Sequence, residues 1–168
     1  MSEFNPEVID QPEARRAMRL ASYASVTVAL ILIVAKTSAW LSTGSVAVLS
    51  SLVDSLLDAI ASVVTLVAIQ HSLQPADHEH RFGHGKVEAL AALAQSAFIV
   101  GSAVLLLFEA GARALDPRPI EKGEIGIYVM LFSIGLTVSL VIFQRWAIAK
   151  SGSVAISADS LHYQGDLL

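Results

Sequence analysis

The chain has 168 residues, no cysteine, 54% hydrophobic residues and 15% charged ones, where an ordinary soluble domain carries about 25% charged. High hydrophobicity with a net charge of only -4 excludes a disordered chain, the lack of cysteine excludes a disulfide scaffold or a thiolate metal site, and the lack of a basic excess argues against nucleic acid as a partner. Too few charges remain to keep a soluble surface dissolved, which leaves a membrane protein.

Residues 1–19 hold Pro6, Pro12, Arg15, Arg16 and Arg19 and lack the compact apolar stretch and small-residue cleavage site of a removable signal; they read as a cytoplasmic N-terminal tail. A first span is expected at about 21–41, uncharged except for Lys36, whose ammonium can snorkel to an interface, pair locally or neutralise a neighbouring acid. After the turn Ser42-Thr43-Gly44-Ser45, a second span is expected at about 47–72, broken only by Asp54 and Asp58. An Asp near the middle of a spanning helix costs about 2.5–3.5 kcal/mol on insertion scales, so two in one helix need a reason. Spaced by four, they share one face one turn apart and repel each other. A bound cation or shared proton turns that repulsion into an asset; a packing pair bonded to Ser or Thr, or a proton-only relay, is the alternative.

The following loop carries Asp77, His78, Glu79, His80 and His84, and four of the five histidines lie within Gln70–Gly85. Imidazoles and carboxylates this close read as a metal-binding tract, against the alternative of a solvated polar loop. His71 reads as interfacial. A third span is expected at about 88–113, uncharged from Ala89 to Phe108. Glu88 and Glu109 lie near its ends, where acids are cheap, and Gly101 and Gly111 suit close helix packing. Asp116-Pro117-Arg118-Pro119 breaks the chain before a fourth span at about 124–147. Trp40, Tyr128 and Trp146 fit interface anchors. Backbone in lipid must bond within its own segment, so these spans are helices despite their many Val and Ile residues.

The last segment, Ser151 to Leu168, begins amphipathic and holds His162 and Asp166 at the same spacing of four. With Asp54 and Asp58 it supplies three carboxylates and one imidazole from two helices, a full tetrahedral set for a divalent metal of the zinc type. Four protein ligands leave no position for an activated water, so this chemistry holds and releases an ion and does not hydrolyse; no His-Glu-x-x-His motif occurs, and no enzyme is expected. As a helix the segment rises about 27 Å at 1.5 Å per residue, marginal for a crossing. The expected fold class is an all-α membrane protein with four complete transmembrane helices plus the start of a fifth. The basic residues Arg15, Arg16, Arg19, Arg81, Lys86, Arg145 and Lys150 fall on one side of it, against Arg113, Arg118 and Lys122, which puts the N-terminus in the cytoplasm.

The run SLVDSLLD, then HSLQPADHEHRFGHGKVEALAALAQS, then FQRW and ADSLHYQGD, resembles the cation diffusion facilitators, closest to their bacterial zinc and ferrous-iron efflux branch. The resemblance covers roughly residues 20–168. It implies a transport site at Asp54, Asp58, His162 and Asp166, a loop site at Asp77, His80 and His84, and export of divalent metal from the cytoplasm in exchange for protons by a homodimer in the inner membrane. Zinc, cadmium or ferrous iron suits a site with one His; the metal is cargo, and no cofactor is implied. The family's usual sixth span and C-terminal cytoplasmic domain do not follow Leu168, so residues 20–168 are expected to be an incomplete efflux domain that does not transport alone. The alternative is a non-transporting subunit or regulatory fragment of such a transporter.

Overall fold

The computed structural model describes residues 11–75, 78, 81, 83–115 and 123–167. They form five helices and no strand: α1 Pro12–Thr43, α2 Val46–Ser72, α3 Lys86–Leu115, α4 Gly123–Ser151 and α5 Val154–Gly165. The first four are each long and apolar enough to cross a membrane, and together they make this a multi-pass membrane protein.

The helix starts and stops follow local chemistry. Pro12 sits in the first turn of α1, where its missing N–H costs nothing, and Glu13 beside it faces the positive end of the helix dipole. At the other end Gly44 takes φ 65° and its N–H bonds Trp40 O, the left-handed stop that glycine adopts most cheaply. Gly152 ends α4 in the same way, also at φ 65°, and Ser153 then caps α5 by accepting from the Ile156 N–H. That two-residue link turns α5 back against α2, α3 and α4.

α1 begins nine residues before the expected span at 21, because Ala14, Ala17, Met18 and Ala21 repeat at helical spacing and are all buried. Hydropathy alone does not register so small an apolar stripe beside three arginines. Ala17, Met18 and Ala21 join Ala68, Ile69, Ala91, Ala147, Ala155 and Ile156 in a core at one end of the bundle. Its many alanines let the helix backbones approach closely, which is how helices associate where lipid removes the hydrophobic drive.

Further along, the molecule is inverted relative to a soluble protein. Leu107 and Phe108 of α3 are 73% and 75% exposed, whereas Ser55, Ser62, Gln95 and Gln144 are fully buried. An apolar exterior is at equilibrium with lipid, and buried polar side chains then need partners within the bundle. Gly101 and Gly111 depart from expectation: among the described residues a Cβ on either meets nothing within 4 Å, so neither glycine brings the described helices together. They lie on the open side of α3, which makes few contacts with the rest of the bundle along its apolar stretch.

Candidate metal centre

The middle of α2 and the far part of α5 meet inside the bundle. His162 Nε2 lies 3.1 Å from Asp58 Oδ1, with the two side chains only 3% and 13% exposed. Asp166, one turn beyond His162 and at the C-cap of α5, completes a group of three whose ligand atoms all lie within 4.8 Å of one another. A tetrahedral ion with bonds of 2.0–2.2 Å sets its ligands about 3.3–3.6 Å apart, so rotamer adjustments of about an ångström bring these three onto one ion. Asp54, one turn from Asp58, is not in that tight group but lines the same cavity of about 200 Å³, together with Asp58, Asp166 and Lys36. The spacing of four puts both acids of α2 on one face; antiparallel packing then decides that this face meets α5.

Nothing in the individual helices holds α5 at this height and rotation. That falls to a set of buried polar contacts beneath the cluster. Tyr163 OH lies 2.8 Å from Ser62 Oγ of α2 and donates to Ser25 O of α1 at 3.4 Å. Asp159, one turn before His162, is 1% exposed. Its carboxylate accepts from Ser25 Oγ of α1 at 2.7 Å, Gln95 Nε2 of α3 at 2.9 Å and Gln144 Nε2 of α4 at 2.8 Å. Neutral donors from three helices thus converge on one acid, which supplies the hydrogen bonding that a buried carboxylate requires.

Glu88 differs from expectation. It lies near a span end, but it is 1% exposed. Its Oε1 accepts from Ser153 Oγ and from the Ala155 N–H, so a carboxylate of α3 sits at the positive end of α5. Neither Asp159 nor Glu88 stands out in the sequence. The signal that does exist is Gln95 and Gln144, long amides within or at the end of uncharged spans, each of which needs a polar partner in lipid.

Lys36 stays inside the bundle at 8% exposure. Its Nζ donates to Ser55 Oγ at 2.7 Å and to Ser51 O at 3.2 Å, so it pairs locally instead of reaching out along the surface. Of the loop residues, His84 lies at the entry to α3 with its ring centroid 6.5 Å from that of His71, which is exposed at the end of α2. Asp77 and His80 lie outside the described residues.

The transmembrane-domain model of the cation efflux family matches residues 22–168. The chain is 53% identical over 150 residues to the cation-efflux pump FieF of Shewanella oneidensis, covering 89% of this chain and 51% of that relative. It is 50% identical over 157 residues to FieF of Pectobacterium carotovorum and 51% identical over 158 residues to FieF of Yersinia pestis, each match covering 94% of this chain and 52% of the relative. The chain spans about half the length of the curated relatives it matches. The extent of the family match and these identities make the chain a member of the cation efflux family, the cation diffusion facilitators.

Proposed function

We propose that the protein exports a divalent metal cation, with zinc first and ferrous iron or cadmium next in order, across the cytoplasmic membrane by metal/proton antiport. The observation that carries this is the meeting of Asp58 with the buried His162 and with Asp166, ligand atoms within 4.8 Å, in a bundle of membrane-spanning helices. In this reading Asp54 is the fourth ligand and the cargo sits in the cavity that it lines. Asp77, His80 and His84 form a second, loop site, residues 20–168 act as the efflux domain with the N-terminus in the cytoplasm, and the working unit is a homodimer.

The chemistry supports the coupling. Metal and proton compete for the same imidazole and carboxylate lone pairs, so loading one releases the other. Two helices that shift against each other present the cavity to one side and then the other. The test is zinc flux into inverted vesicles carrying the full gene product, driven by a proton gradient. Asp58→Ala and Asp54→Ala at equal expression are expected to abolish flux. Unchanged flux in both variants overturns the site assignment, and absence of flux in the unaltered protein overturns transport.

A further inference from the structure

Among the described residues, Lys36 is the one buried charged group at the cavity that the ligand set leaves unused. Its ammonium is held on α2 by Ser55 Oγ and Ser51 O, inside the bundle at 8% exposure. Ser55 directly follows Asp54, and the Lys36 side chain lines the same cavity as Asp54, Asp58 and Asp166. An ammonium beside a binding site for a cation looks counterproductive, since it repels the cargo.

The charge arithmetic gives it a purpose. Three carboxylates, one ammonium and one divalent cation cancel, with the imidazole neutral as a ligand must be. Without the ammonium, the loaded site carries a surplus negative charge in a medium where charge is weakly screened, and the ion is bound too tightly to leave. A transport site must bind well enough to load and weakly enough to release. We infer that Lys36 is a charge-setting residue, an internal cation that makes the divalent-loaded cavity neutral and so weakens retention of the metal in favour of release.

This inference rests on the metal-transport reading, and the experiment separates the two. Zinc affinity is measured by calorimetry on the detergent-purified full gene product, and zinc flux in vesicles. Lys36→Gln is expected to bind zinc at least about tenfold more tightly and to show lower KM with lower kcat, while Lys36→Arg stays near the unaltered protein. A lysine that only tethers α1 to α2 gives the opposite sign, because a loosened site binds metal more weakly. Equal or weaker zinc binding by folded Lys36→Gln overturns the inference. Should that variant not fold, Asp54→Asn is compared with Asp54→Asn/Lys36→Gln: the double variant is expected to bind zinc more tightly than the single one, and binding no tighter overturns the inference. If the unaltered protein binds no divalent metal, the transport reading falls and the inference falls with it.

Discussion

Asp159 offers the sharpest test of how the candidate site is held. Asp159→Ala leaves three buried donors, Ser25 Oγ, Gln95 Nε2 and Gln144 Nε2, without the carboxylate they share. Gln95 Nε2 is orphaned outright at about 1–3 kcal/mol. Ser25 Oγ keeps Ala21 O and Gln144 Nε2 keeps Ser25 Oγ as acceptors, so each loses only its bond to the carboxylate at about 1–2 kcal/mol. The loss spans about 3–7 kcal/mol, with water entering the new space pulling it toward the lower figure. Asp159→Asn behaves differently. Its amide oxygen still accepts from Ser25 and Gln144, and its NH₂ faces Gln95, whose own Oε1 is buried with no hydrogen-bond partner among the described residues. A flip of the Gln95 amide turns that oxygen toward the new donor and restores the bond, so the cost of the Asn variant is about 1 kcal/mol or less. Thermal unfolding in detergent reads this directly. At about 2–4 °C per kcal/mol for a chain of this size, the Ala variant is expected to lose about 6 °C or more and the Asn variant a few degrees at most. Asp159→Asn as damaging as Asp159→Ala refutes the reasoning, because the charge and not the hydrogen-bond geometry would then be what the bundle requires.

Two further outcomes follow from the same structure. Zinc affinity is expected to weaken as pH falls from about 8 to about 6, since the ligands bind metal only when deprotonated and each bound ion displaces protons; calorimetry in buffers of different ionisation enthalpy measures the protons released, and a pH-independent affinity contradicts a His and carboxylate site. Gly44→Ala is expected to destabilise by about 1–2 kcal/mol through its φ of 65° alone, as no atom lies within 4 Å of the added methyl. Gly101→Ala, in a helix interior and equally uncrowded, gains about 0.5–1 kcal/mol. Thermal unfolding of both variants checks the pair, and destabilisation by Gly101→Ala marks that surface as covered by another chain.

Some of the fold was legible because lipid imposes one strong rule. Uncharged runs near 20 residues must be helices, so four spans and their order follow from Ala89–Phe108, Ile125–Gln144 and the two runs before them. Their ends were less legible. α1 extends to Pro12 on a stripe of alanines that carries almost no hydropathy signal. Glu88 has the same sequence context as Glu109, and only the turn at Gly152 and Ser153, which brings the start of α5 under it, tells a buried helix-capping acid from an acid at a span end.

Residue order alone establishes a helical membrane protein in which Asp54 with Asp58, and His162 with Asp166, share a face in each pair. The helical period of 3.6 residues makes both statements local. Which faces meet is a matter for the packing of the whole bundle. His162 reaches Asp58 across 104 positions of chain, and Asp159 gathers donors from α1, α3 and α4. Packing also turns Lys36 inward to the carboxylates' cavity. Periodicity fixes where a side chain points around its own helix axis; the rotation and height of one helix against another come from many small contacts summed over the whole bundle.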